Sequence, residues 1–191
     1  MTDYIESSLG RNEYALGLFL DIKGAFDNLD QGAALEAMRR KKYPEWFVEF
    51  YESYLKDRVA ICHIGKTTKR RFPKGSPQGG VFSPSFWNEA FDELLEIINK
   101  EAYLLGAGFA VDCGLLVRGL DLNTLVSLIQ NIIPKIEEWS RKYGVQFCPK
   151  KTVAVIFSRK TPRKMPPKLV IEGGEVEYAT HVKRASSSTR S

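Results

Sequence analysis

Cysteine is scarce and scattered: three residues in 191, Cys62, Cys113 and Cys148, with no CxxC spacing. An odd, dispersed set argues against a disulfide framework and a structural zinc site, both of which need paired or clustered thiols. Long apolar runs are also missing. No stretch approaches the ~20 residues that cross a bilayer, and the N-terminus carries no apolar signal segment. These absences set the expectation of a soluble protein in a reducing, intracellular compartment, cytoplasmic or nuclear, without a membrane partner. The nucleotide-binding patterns GxxxxGK followed by Ser or Thr, and GxGxxG, do not occur, so a P-loop and a dinucleotide fold are set aside. Internal repeats and a regular βαβ rhythm are absent too, which favours the α+β class.

What is present describes a globular chain with a basic bias. Hydrophobic residues make up 43% and aromatic residues 12%, and the net charge of +5 with a pI near 9.0 suits an anionic partner. The length is ample for a buried core. Residues 2 to 11 read as a short helix. Asp30 is an N-cap for a helix over Gln31 to Arg40, and Pro44 opens a second helical run. In that run Trp46, Phe47, Phe50, Tyr51 and Tyr54 recur at helical spacing and read as a core face rather than a stacking platform. Val59 to Ile64 and Thr67 to Phe72 form a hairpin around Gly65-Lys66. A helix from about Pro84 to Lys100 follows, then a long one from Thr124 to Lys142, capped by Asn123 and ended by Gly144. Val153 to Phe157 and Leu169 to Ile171 are strands, and residues 184–191 are a low-complexity tail expected to be disordered.

Three stretches stand out chemically. Leu16-Gly-Leu-Phe-Leu-Asp21 is a short apolar run, a buried strand by pattern, that delivers a carboxylate at its end. Such a carboxylate is costly without a partner: a cation, an N-cap or a salt bridge would answer. Gly108-Phe-Ala-Val-Asp-Cys-Gly-Leu-Leu-Val117 breaks a local rule however it folds. A continuous strand buries Asp112, and a turn near Val111-Asp112 puts a β-branched residue where Asp, Asn or Gly is usual. Pairing of Asp112 with one of the 28 basic residues is the plain alternative. The third stretch, Gly75-Ser-Pro-Gln-Gly-Gly80, is a loop dense in conformationally special residues; it serves either as a helix approach or as a backbone surface for a template or base. Two carboxylates at neighbouring strand ends suit magnesium, which prefers hard oxygen donors, and two-ion phosphoryl transfer uses such sets.

In order along the chain, Phe19-Leu-Asp-Ile-Lys-Gly-Ala-Phe-Asp27, Gly75-Ser-Pro-Gln-Gly-Gly80, Phe109-Ala-Val-Asp112, and Gly144 with Lys151-Thr152 resemble motifs A, B, C and D of non-LTR retrotransposon reverse transcriptases. The resemblance covers residues 1–183 and implies a polymerase palm: an antiparallel sheet packed on helices, with partial fingers and no thumb. It implies RNA-directed DNA polymerase activity by two-metal nucleotidyl transfer with Mg2+, an RNA template, a DNA primer and deoxynucleoside triphosphates. No obligate protein partner is implied. Asp21 and Asp112 would be the catalytic metal ligands and Lys151 a catalytic lysine beside the triphosphate. Phe26 would gate the sugar, and Gly75, Gln78 and Gly79 would line the template and nucleotide pocket.

The chain departs from that family in three places. Motif C carries Val111 where the family has the first Asp, a direct metal ligand; loss of one charge-stabilising group elsewhere costs about 10²–10³ in rate. Most of the fingers would precede residue 1. After His181-Val-Lys183 the sequence turns to Arg184-Ala-Ser-Ser-Ser instead of a primer-grip hairpin, as in a truncated or frame-shifted copy. The expectation is an impaired polymerase. The alternative is a catalytically inactive nucleic-acid-binding remnant that uses the clusters Arg39–Lys42, Lys69–Arg71 and Arg159–Lys164 on phosphates.

Overall fold

The computed structural model describes residues 1–162 and 164–179, except for the side chains of residues 60, 62, 64 and 66. The expected tail at 184–191 therefore lies outside the described residues. In chain order the elements are α1 (Thr2–Gly10), β1 (Tyr14–Leu20), β2 (Ile22–Lys23), α2 (Ala25–Asn28), α3 (Gln31–Arg40), α4 (Glu45–Leu55), β3 (Val59–Ile64), β4 (Lys66–Arg71) and α5 (Ser83–Asn99). They continue with β5 (Leu105–Phe109), β6 (Asp112–Gly119), α6 (Leu122–Lys142), β7 (Gln146–Phe147), β8 (Val153–Phe157), β9 (Val170–Ile171), β10 (Gly174–Glu175) and β11 (Glu177–Ala179). Helices and strands mix without a repeating crossover, in line with the α+β expectation.

Two compact units divide the chain. The first comprises Met1–Asp21, Leu95–Glu137 and the chain from Phe147 on; the second comprises Ile22–Leu94 and Glu138–Gln146.

The first unit is organised on a five-stranded sheet in the order β11-β8-β1-β6-β5. All neighbours are antiparallel except β11, which lies parallel to β8. Strand β1 is central, and this explains its composition: Ala15, Leu16, Gly17 and Leu18 are buried without alternation because both faces are covered at this point. A Cβ on Gly17 would stand 2.9 Å from Leu116 Cδ2, so the smallest residue is needed where β1 and β6 pack most closely. Strands β5 and β6 form a hairpin whose connection is Ala110-Val111, with Phe109 paired to Asp112. The chain thus turns one residue earlier than expected. Ala110 takes the positive φ of +55°, a conformation that glycine adopts freely, and Val111 does not.

Helix α6 begins at Leu122 and is capped by Asp121, not Asn123. The Asp121 carboxylate accepts from the N–H and the hydroxyl of Thr124, both at 2.8 Å. At the other end Gly144, at φ +67°, closes the helix: its N–H donates to Arg141 and that of Val145 to Ser140.

In the second unit Asp30 caps α3 as expected, its carboxylate accepting from Ala33 N–H at 2.8 Å. The core holds Trp87, Trp139, Phe86, Tyr51, Met38 and Leu94, and the Trp139 indole donates to the Ala90 carbonyl at 2.9 Å. The reading of the α4 aromatics as core is corrected. Of the five, only Tyr51 is buried, with Val48 and Leu55 beside it; Trp46 is 69% exposed, Phe50 and Tyr54 are exposed, and Phe47 is partly so. Apolar residues fill more than half of the helix circumference, and only one side of that sector is covered.

Candidate active site

The sheet register brings the carboxylates together. Strands β1 and β6 pair from Tyr14↔Gly119 to Leu20↔Cys113. One further step along that register sets Asp21 opposite Asp112. On its other side β1 pairs with β8 from Ala15↔Phe157 to Phe19↔Val153, and Lys151 lies in the turn that leads into β8. Residues opposite each other in adjacent strands share a face. At this end of the central strands Asp112 and Asp21 form a row with Lys151 beside it. The row lines a pocket of about 460 Å³ with Phe19, Phe109 and Gly114. Asp21 is half-buried, whereas Asp112 and Lys151 are exposed.

The backbone around Asp21 is fixed by the segment that carries Lys151. Cys148 N–H donates to the Asp21 carbonyl at 2.9 Å, and Asp21 N–H donates to Thr152 Oγ1 at 3.3 Å. Thr152 is buried, so its hydroxyl can anchor Asp21 without facing solvent. These two anchors were not singled out from the sequence, because the span between 21 and 148–152 hides them. Beside Asp112, Cys113 points to the covered face of β6, where burial pushes its thiol up to about 12. Phe109, 84% exposed, stands at the hairpin tip.

Phe26, Gly75 and Gln78 belong to the second unit and are linked within it. The Gly-rich loop is stitched to α2 and its flank: Gly75 N–H donates to Leu29, Ser76 N–H to Phe26 (both 2.7 Å), and Gln31 Nε2 to the Gly75 carbonyl (2.8 Å). Contact is so close that a Cβ on Gly75 would lie 2.6 Å from the carbonyl oxygens of Phe26 and Asp27. Gln78 Nε2 donates to both Asp27 carboxylate oxygens, at 3.1 and 3.3 Å. Asp27 lies in helix α2 and serves Gln78 here. The Phe26 ring is half-buried, 5.9 Å from Trp87. Gly79, at φ +79°, has open space around it.

The basic clusters separate into distinct groups. Arg39 pairs with Glu45 and Glu52, Arg40 with Glu93, and Lys41 with Glu89 and Asp92. The Arg39–Lys42 cluster is thereby largely neutralised, which corrects its reading as a phosphate surface. By contrast Arg58, Arg70, Arg71 and Lys74 line a cleft of about 620 Å³ together with Gln78. Among the described residues these four make no ion pair. Lys160 and Lys164 line a third pocket, about 670 Å³, with Tyr14 and Leu120; residue 163 of that cluster lies outside the described residues. No described helix is long and apolar enough to cross a membrane.

A mostly antiparallel sheet packed with helices, with carboxylates at the end of its central strand and the tip of its hairpin, has the form of a polymerase palm. Residues 5–182 match the family model for reverse transcriptase (RNA-dependent DNA polymerase), and the chain belongs to that family. Its curated relatives come from retrotransposable and other mobile elements. The putative 115 kDa protein in type-1 retrotransposable element R1DM of Drosophila melanogaster is 29% identical over 81% of this chain and 15% of its own length. The Pol polyprotein from element R1 of Bradysia coprophila is 25% identical over 90% and 17%. The RNA-directed DNA polymerase from mobile element jockey of Drosophila melanogaster is 23% identical over 84% and 18%. The chain thus spans less than a fifth of each of these curated relatives. Among solved structures, apo telomerase from Candida tropicalis truncated from its C-terminal domain shares the fold with a TM-score of 0.61 and 19% identity, over 85% of this chain and 36% of that one. The same telomerase in complex with a fragment of telomeric RNA gives 0.62 and 15%, over 86% and 30%.

The family generally uses divalent metal ions. No group of three or more His, Cys, Asp or Glu among the described residues could hold one. Asp21 and Asp112 are the two carboxylates that line the pocket, a number within the one or two that a hydrated magnesium ion takes. They fall short of the donor set that two neighbouring ions require.

Proposed function

We propose that the chain is the palm of an RNA-directed DNA polymerase of a non-LTR retrotransposon, with its metal site reduced by Val111. The row of Asp112 and Asp21, with Lys151 in the same pocket, carries this reading. With Mg2+ bound, the ion would polarise phosphate oxygens and offset the charge developing in nucleotidyl transfer. Asp21 and Asp112 would hold it. Lys151, which lines the same pocket, would neutralise or protonate the departing pyrophosphate. Phe26, held against Trp87, would meet the sugar of an incoming deoxynucleoside triphosphate and disfavour a 2′-hydroxyl. Gln78, oriented by Asp27, would face the template and nucleotide with Gly75 and Gly79.

Valine at 111 supplies no oxygen donor, so turnover is expected to be low, on the order of 10²–10³ below that of a complete site. Primer extension on an RNA template, run on the chain and on Val111→Asp, tests this. Extension by the variant alone supports the reading. Equal extension by both refutes the role given to position 111. Silence from both, with binding retained, favours the second reading, a catalytically inactive nucleic-acid-binding palm. The unpaired cations at Arg58, Arg70, Arg71 and Lys74 support that alternative.

A further inference from the structure

A hydroxyl residue stands directly before proline at three positions, Ser76, Ser83 and Thr161. The fold closes two of them. Ser76 is buried, and its N–H donates to the Phe26 carbonyl within the loop seated on α2. Ser83 is buried at the start of α5, and its hydroxyl donates to the Pro77 carbonyl at 2.6 Å. Thr161 is the opposite case. It is exposed in the connection from β8 to β9, where no described residue from 158 to 169 belongs to a helix or strand. Its hydroxyl makes no hydrogen bond among the described residues. The connection is anchored at its far end, where Pro166 and Leu169 are buried and the Pro167 carbonyl accepts from the Tyr178 hydroxyl at 2.8 Å. Ahead of that anchor the Lys160 N–H donates to the Ser158 hydroxyl at 3.0 Å, a bond within the connection itself. Residues 158–162 can therefore extend without giving up a described bond to the rest of the fold.

The neighbours of Thr161 select the enzyme that could use it. Pro162 has no N–H, so it suits a substrate groove that offers no acceptor at the next position, where any other residue would bury an unpaired donor. Pro162 also biases Thr161 to the extended backbone that a groove-bound substrate adopts. Lys164, exposed and three residues on from Thr161, offers a cation to acidic groups of such a groove. The corresponding residues after Ser76 and Ser83 are Gly79 and Phe86, which offer none.

We propose that Thr161 is the acceptor site of a proline-directed serine/threonine kinase, and that the pocket beside it receives the phosphate. ATP supplies the γ-phosphoryl group. A bond forms between Thr161 Oγ1 and the γ-phosphorus, the bond from that phosphorus to the ADP oxygen breaks, and the hydroxyl proton passes to the kinase's base. Thr161 lines the pocket of about 670 Å³ together with Lys160 and Lys164, which places two ammonium groups in reach of the new dianion. The other titratable groups of that pocket are Tyr14 and Asp121. Asp121 is the one opposing charge, and its carboxylate is taken up by Thr124 at the cap of α6. A phosphate carries about −1.5 to −2 at pH 7, against four basic residues between 159 and 164, so it cancels up to half of that run's charge. The lysines then serve an internal phosphate instead of an external one. The site follows from exposure, sequence and charge, and it stands or falls apart from the polymerase reading.

The test is phosphorylation of the folded chain by a recombinant cyclin-dependent kinase with its cyclin, using ATP labelled at the γ-phosphate. The expected result is a single phosphate per chain, mapped to Thr161 by mass spectrometry of chymotryptic peptides. Thr161→Ser should keep the label and Thr161→Ala should lose it. Pro162→Ala should lower kcat/KM at least tenfold, the cost of a buried unpaired donor, and Lys164→Ala several-fold, with circular dichroism unchanged in every variant. Phosphate on Ser76 or Ser83 of the folded chain, no incorporation at all, or undiminished transfer to Pro162→Ala would overturn the site. Phosphorus NMR of the modified chain then reads the pocket. Cations beside the phosphate favour its dianion, so its second ionisation should lie below the usual value of about 6 and rise in Lys160→Ala and on unfolding in urea. The same titration in the folded and the unfolded chain would overturn the pocket's part.

Discussion

Gly75 and Gly79 sit in nearly the same backbone conformation, φ +77° and +79°, but in opposite surroundings, and alanine at each separates conformation from crowding. At Gly79 nothing lies within 4 Å of where a Cβ would stand, so Gly79→Ala meets only the left-handed penalty. That penalty of ~1–2 kcal/mol is offset in part by ~0.4–1 kcal/mol from the stiffer unfolded chain, leaving about 1 kcal/mol. At Gly75 the same methyl stands 2.6 Å from two carbonyl oxygens. Either the loop retreats, weakening three hydrogen bonds of about 1 kcal/mol each, or it stays and bears an overpacking strain of about 1–3 kcal/mol. Gly75→Ala should therefore cost about 2–4 kcal/mol, against about 1 for Gly79→Ala. Urea unfolding followed by tryptophan emission reports the second unit directly, since all three tryptophans belong to it. Equal losses at the two positions would refute the account of the loop as seated on Phe26 and Asp27.

Asp27→Ala should release Gln78 and weaken deoxynucleotide or template binding several-fold with little loss of stability, since both side chains are exposed; equilibrium binding checks this, and Asp27→Asn should rescue part of it. Glu93 is pushed up by burial, but hydrogen bonds from Lys142, Tyr143 and Arg40 outweigh this and hold it below its usual 4.5. Its contribution is thus present above that pH and lost as pH falls through the lowered value. Acid unfolding of Glu93→Gln should show a shallower decline there, and an unchanged profile would count against the network. Under native conditions Cys113, buried with its thiol pushed up to about 12, should resist alkylation at pH 8 while the half-buried Cys148 reacts; peptide mass mapping reads both sites.

Much of this molecule was legible before its structure. Asp21 and Asp112 drew attention because each broke a local rule, a charge closing an apolar run. What the sequence could not display is the register that makes them neighbours, because it depends on hydrogen bonding between segments about 90 residues apart. The same blindness hid Thr152 behind Asp21. Periodicity located α4 correctly but not which half of its wide apolar sector would be covered, so Trp46, Phe50 and Tyr54 were assigned to the core. The basic run at Arg39–Lys42 looked available because the acids of Arg40 and Lys41, namely Glu93, Glu89 and Asp92, lie about 50 residues further along. The pattern pointed to Asn123 as the cap of α6, two residues past Asp121, whose carboxylate takes the Thr124 N–H. Strand β11, three residues long and parallel to β8, carries no usable alternation.

The central claim is that Val111 removes a metal ligand from an otherwise assembled palm site. Counting bound Mn2+ by electron paramagnetic resonance, on the chain and on Val111→Asp in the presence of a deoxynucleoside triphosphate, tests it without requiring turnover. Position 111 lies in a turn where Asp is well tolerated, so the variant should fold as the parent does. One protein-dependent ion in the parent and two in the variant is the predicted result. Two ions in both, or one in both, would contradict the claim.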